Sequence, residues 1–288
     1  IATTGVGEAS GTGNGLLDIN ATKLSIVAGS GGLFVSEANG LTVTNLTAMS
    51  VNRVGTDATT ATTNTSDAAQ EDLTSDGVVV LTSAGQLDIS GGIDHSAVNA
   101  TGNLFLQTTS GSLNINDAII GAGHLRLNSA AAITQASTNG DITASTSGAT
   151  IDVVAATTIT MNAGAITQSN NGSILYQAQA GSIQIEELNA GSGNVALIAS
   201  ASINDIAADT AVDVIANQLY MSAGTGIGSG SNVLETTIAT MSAATGSGGL
   251  FVSETDGLIL GSTSISVNRI GTDGATPSSE SNGVTTVS

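Results

Sequence analysis

GNLFLQTTSGSLNIND, residues 102–117, decides how this chain is read. An apolar pair, Leu104 and Leu106, flanks Phe105; a Thr/Ser/Gly turn follows; then Leu113 and Ile115 flank Asn114. Alternation with a period of two marks a strand with one buried face. On that reading Leu104, Leu106, Leu113 and Ile115 face a core, and Phe105 and Asn114 face outward.

The same grammar recurs along the chain. GHLRLNSAAAITQAS (123–137), GDITASTSGATIDVVA (140–155), TTITMNAGAITQSNN (157–171), GSILYQAQAGSIQIEEL (172–188) and GNVALIASASINDIA (193–207) all carry it, as does GGLFVSETDGLILGS (248–262). It puts Leu125, Leu127, Ile151, Val153, Ile183, Ile185, Val195 and Leu197 inside, with Arg126, Asp152 and Gln184 outside. Gly102, Gly123, Gly140, Gly172 and Gly193 mark rung starts, with an unmarked start near Ala155. AITQAS and AITQSN, around Ile133 and Ile166, read as the same position two rungs apart. The rung length is then about 15–21 residues. No such rung closes a core alone, but rungs stacked at about 4.8 Å bury a continuous one. The predicted fold is all-β, a parallel β-helix or β-solenoid rod. An array of β-sandwiches would alternate as well, but its hairpins favour Asn-Gly and Asp-Gly turns, which are scarce here.

A longer period encloses the short one. GSGGLFVSEANGL (29–41) returns as GSGGLFVSETDGL (246–258), and SVNRVGTD (50–57) returns as SVNRIGTD (266–273). Residues 1–28 read as the end of one unit, 29–245 as a full unit of about 217 residues, and 246–288 as the start of the next. At about 19 residues per rung a unit makes roughly 11 turns and a rod of about 55 Å. Leu33, Val35 and Leu41 read as inward residues, and Gly29 to Gly32 as the turn before them. After the GTD, the first copy inserts residues 58–75 and the second only 274–281. A length change between matching flanks marks an exposed loop, here an acidic one over 58–75.

Composition fits this picture and narrows function. Hydrophobic residues make up 40% of the 288 and charged residues 9%, with a single proline and no cysteine. Disordered chains combine low hydrophobicity with high charge, so this chain has enough to bury. A net charge of −19, with four Lys and Arg in all (Lys23, Arg53, Arg126, Arg269), leaves nothing to neutralise the roughly 6–10 phosphates of a nucleic-acid site. No apolar run reaches the roughly 18 residues of a membrane helix, so no membrane insertion is expected. Opening at Ile1 without a leader, the chain reads as an internal piece of a longer one.

Rungs such as GNVALIASASINDIAA and TTITMNAGAITQSNNGSILYQAQAGSI, within residues 78–260, resemble the β-helical repeats of giant secreted bacterial surface proteins. Filamentous-haemagglutinin-like adhesins and autotransporter passengers are the families meant. That resemblance implies a non-catalytic structural or adhesive segment of an extracellular bacterial surface protein or filament. Its partners would be adjacent copies of the same repeat, tandem or stacked, and surface glycans. The alternative is a glycan-binding or glycan-processing β-helix, which would need stacked aromatics and convergent carboxylates.

No catalytic, cofactor or metal residue is assigned. Glu186 with Glu187, and Asp205 with Asp209, are the carboxylate pairs a glycosidase could use, but adjacent strand residues face opposite sides. His95 and His124 are too few for zinc without cysteine. The oxygen-rich composition could hold calcium, and Asp57, Asp67, Glu71, Asp72 and Asp76 cluster in and around the 58–75 loop. The G-G-x-G-x-D nonapeptide of calcium-binding β-rolls is absent, however, and the cluster reads first as a hydrated acidic loop. Arg53 and Arg269 read less as ligand-binding arginines than as outward ones, each paired with a nearby carboxylate such as the aspartate of its GTD. The sequons at Asn20, Asn45, Asn64, Asn99 and Asn171 arise readily in a chain this rich in Asn, Ser and Thr. No phosphate loop is present, and TVT (42–44) and TIT (158–160) do not recur at the rung period as an ice-binding ladder would require.

Overall fold

The computed structural model describes residues 2–8, 15–67, 69, 72–91, 93–95, 102–137, 139–207, 209–275 and 278–282, with only the backbone at 61–67, 93–95 and 278–282. Among these residues there is no helix. The chain winds as a parallel β-solenoid of about nine turns, about 43 Å of rod at 4.8 Å per turn. A typical turn has three strands: Leu104–Thr108, Leu113–Ile115 and Ile119–Gly121. Each pairs in parallel with its counterpart one turn on, for example Leu104 with Leu125, Leu113 with Ile133, and Ile119 with Ile142. Three faces result, called here the long-strand, second and third faces.

All twelve residues of the rung pattern assigned to the core are buried, as are Leu33, Val35 and Leu41. They stack into one continuous apolar column, so each turn's hydrophobic ladder is completed by its neighbours. The corners are tight. A Cβ on Gly193 would run into the carbonyl oxygen of Gly172, and one on Gly172 into that of Ala149. Small corner residues are therefore a condition of stacking.

The rungs are longer than the sequence period suggests. Leu104 pairs with Leu125, at the upper end of the expected length, and Leu125 with Ile151, well beyond it. That is why a unit holds a little over eight turns and not 11, the long-strand face stepping eight times from Leu33 to Met241. Two of the expected rung starts, one marked and one unmarked, lie elsewhere in the turn. Gly140 precedes Ile142–Ala144 on the third face, and Ala155 ends the long strand Ile151–Ala155. The AITQ pair is not two rungs apart either: Ile133–Gln135 lies on the second face and Ile166–Ser169 on the third, one turn and one face later. Their faces are also reversed. Gln135 is inward and Gln168 outward, as a one-residue slip in a period of two requires.

This slip builds a polar knot inside the apolar column. Tyr176 Oη donates to Gln135 Oε1 at 2.6 Å and lies 2.7 Å from Thr167 Oγ1. Gln135 Nε2 donates to Gly140 O and Thr167 Oγ1. All three side chains are buried and satisfy one another, as buried polar groups must. Burial holds the Tyr176 hydroxyl far above its ordinary pKa.

Residues 58–75 are not one loop. Thr60–Asp67 pairs antiparallel with Met49–Val54 as a hairpin leaving the rod, and Leu73–Ser75 is a strand of the third face with Leu73 in the core. The repeated unit also changes face. Leu17 pairs with Val35 on the long-strand face, whereas their equivalents in the second copy, Leu234 and Val252, pair on the third face. The pairing is kept while the face is not, so a unit is not a whole number of turns.

Candidate functional site

On the long-strand face the middle outward residues stack in register: Phe34, Val80, Phe105, Arg126, Asp152, Leu175, Ala196 and Tyr220. The ladder is apolar at both ends with one Arg–Asp step between. It is not open to water. Ile265–Arg269, which forms a second hairpin with Ser278–Asn282, lies along it as a strap. Ile265 and Val267 pack on Leu175 and Ala196, and Ile270 packs on Phe34, Val80 and Phe105.

Polar contacts fix the strap's register. Asp152, fully buried, takes Arg269 Nε at 3.2 Å and Arg126 Nε at 3.5 Å on one oxygen. Arg126 Nη1 donates to the Ile270 carbonyl at 2.7 Å, and its guanidinium lies 5.2 Å from the Phe105 ring centre. Asn268 N donates to Thr150 Oγ1, Asn103 Nδ2 to Gly274 O, and Ser264 N to Gln218 Oε1. His124 sits half-buried beneath Asn268, its Nδ1 accepting from Thr150 N at 3.0 Å. That bond leaves the ring proton on Nε2, and burial lowers the ring's pKa. The imidazole is neutral at pH 7.

Phe105, Arg126 and Asp152 do point away from the core, but they are covered by the strap and not by water. Arg269 pairs with Asp152, 117 residues away, and not with Asp273, which caps the turn through Ala275 N. In the first copy, Asp57 likewise caps its own turn through Thr59, whose bonds hold its carboxyl below the ordinary value. Asn114 and Gln184 stay on the half-buried outer surface.

A second cluster gathers carboxylates on the other faces. Asp205, Asp213 and Glu235 each bring an oxygen within 4.8 Å of the others, close enough for one divalent cation to bridge. Asp205 and Asp213 are buried. Asp213 Oδ2 accepts from Glu235 N at 2.8 Å, yet burial and then the charges of Asp205 and Glu235 push its pKa up to about 8. Burial and the nearby Asp205 raise Glu235 too. Beside them Glu186, Glu187, Asp209 and Asp213 line a cavity of about 100 Å³.

The structure thus brings the two carboxylate pairs named from sequence to one neighbourhood. Sequence reasoning misses Asp213 and Glu235. A signal exists for Asp205: it stacks on Ile185, at a position the period reserves for an apolar residue. Of the residues considered for calcium, Asp57, Asp72 and Asp76 form no metal cluster among the described residues. Glu71 and Asn99 lie outside the described residues, as do the side chains of Asn64, Asp67 and His95. A polar groove of about 460 Å³ runs beside the strap, lined by Gln107, Asn128, Gln177, Arg126 and Arg269 among others. No helix among the described residues is long and apolar enough to cross a membrane. No protein-family model, curated protein or solved structure matches the chain.

Proposed function

We propose that this chain is a length of stiff β-solenoid rod, a non-catalytic structural or adhesive segment of an extracellular bacterial surface protein or filament made of tandem units. The reading rests on one observation above all. The second copy of the repeat re-forms the first copy's strand pairing, Leu234 on Val252 matching Leu17 on Val35, so the rod carries the means of its own extension. A solenoid buries its core only by stacking, and its open ends are unpaired strand edges. Neighbouring copies supply what those edges need. The location and the adhesive role in this proposal are supported by the resemblance of the rungs to secreted surface adhesins alone.

Glycan recognition is the second reading, supported by the polar groove beside the strap. The aromatics weigh against stacking on a sugar there: Phe34 and Phe105 lie under the strap and Tyr176 lies in the core. Electron microscopy of the native particle tests the proposal. A long fibre with an axial repeat near the length of one unit, a little over eight turns or about 40 Å, supports it. An isolated compact particle that binds oligosaccharide in a cleft would refute it.

A further inference from the structure

We infer that the first hairpin, Met49–Val54 with Thr60–Asp67, is a strap for a second copy of this unit, lying across that copy's outward ladder. The second hairpin already does this within the chain, and the first strand and turn of the two, residues 49–57 and 265–273, are nearly the same sequence. Met49, Val51, Asn52, Arg53 and Val54 correspond to Ile265, Val267, Asn268, Arg269 and Ile270. Their environments are opposite. Ile265, Val267 and Ile270 are 0%, 1% and 0% exposed, whereas Met49, Val51 and Val54 are 59%, 53% and 61% exposed.

Three large apolar side chains on one projecting strand make an interaction patch, and the duplicate shows what chemistry covers it. The matching surface is apolar, then Arg–Asp, then apolar, at the roughly 4.8 Å step of the rungs. Arg53 takes the place of Arg269 at Asp152 of the second copy, and Met49 and Val51 take the places of Ile265 and Val267 on Leu175 and Ala196. The order of parts gives one strap per ladder. The second hairpin lies on the unit before it, which leaves the first hairpin for the unit before that, upstream in an array or in another chain. Ala58 stands where the second hairpin has Gly274, whose missing Cβ makes room for Val78. Both residues have a left-handed φ. Val78 of the second copy must turn aside for Ala58, so the intermolecular strap seats less tightly than the intrachain one.

The test mixes two forms of the full chain. One is the unaltered chain, with its ladder covered and its first hairpin exposed. The other carries I265D, V267D and I270D to uncover the ladder, and M49D, V51D and V54D to disable its own first hairpin. Burying aspartate against the ladder is disfavoured, so only one hairpin-on-ladder contact remains open, and end-to-end stacking is the same in every mixture. Sedimentation velocity should show a 1:1 complex, weakened about tenfold or more when the unaltered partner is replaced by an M49D/V51D/V54D chain. Absence of the complex, or a complex indifferent to those three substitutions, overturns the inference. Circular dichroism checks that both forms keep their β-structure. Should the multiple variant unfold, a V51C chain is mixed with an A196C/V267D chain. The native sequence has no cysteine, so an intermolecular disulfide supports the proposal, and its absence overturns it.

Discussion

Tyr176 and Asp213 show how single residues break the period with opposite results. The Tyr176 hydroxyl is buried but fully bonded to Gln135 and Thr167. Y176F removes the shorter of the two bonds to Gln135 Oε1 while leaving the ring volume and the bond from Thr167 Oγ1, and the loss should cost about 0.5–1.5 kcal/mol, read as a lower denaturant midpoint with unchanged slope. Asp213 is buried beside other carboxylates, with a pKa near 8 against an ordinary 3.8. The folded state then holds its proton more tightly than the unfolded state. Asp213's contribution to stability is fully present below pH 3.8 and is lost progressively as pH rises to about 8, by a few kcal/mol. Denaturation midpoints across that window should fall with pH in the native chain and fall less in D213N.

The strap is an element whose removal should spare the rod. Its side chains touch the outer ladder and not the apolar column. V267D buries a charge on Ala196 and Leu175, and limited proteolysis should then cut within 262–282 while the far-ultraviolet dichroism of the rod persists. Acid should loosen the same element. His124 has a lowered pKa in the folded state, so its contribution is present above pH 6.5 and is lost as pH falls through the folded value. A protonated Nδ1 can no longer accept from Thr150 N, the residue that also holds Asn268. Protease sensitivity of the strap should rise below pH 6.5 in the native chain, and H124Q should flatten that rise.

At the scale of the molecule, the inward half of the fold is legible in the sequence and the outward half is not. Period-two alternation names Leu104, Ile115, Val195 and their like correctly because burial of the column depends only on local pattern. Rung length escapes it because identical words, the two AITQ segments, fall on different faces in opposite phase. The ladder under the strap cannot be read from Phe105, Arg126 and Asp152 either. What covers them lies over a hundred residues away, and a sequence pattern reports facing, not covering. Asp205 is visible as a carboxylate in an apolar position, whereas Asp213 and Glu235 join it only through stacking of successive turns.

The two SVNR segments share intrinsic amide exchange chemistry but not surroundings. Hydrogen–deuterium exchange of the full chain compares residues 49–54 with 265–270 in one sample. Strapping of the ladder predicts that amides of 265–270 exchange much more slowly than their counterparts in 49–54, close to the rate of the neighbouring rungs. Equal rates in the two segments would mean that the second hairpin opens as readily as the first, and would contradict a strap held on the ladder.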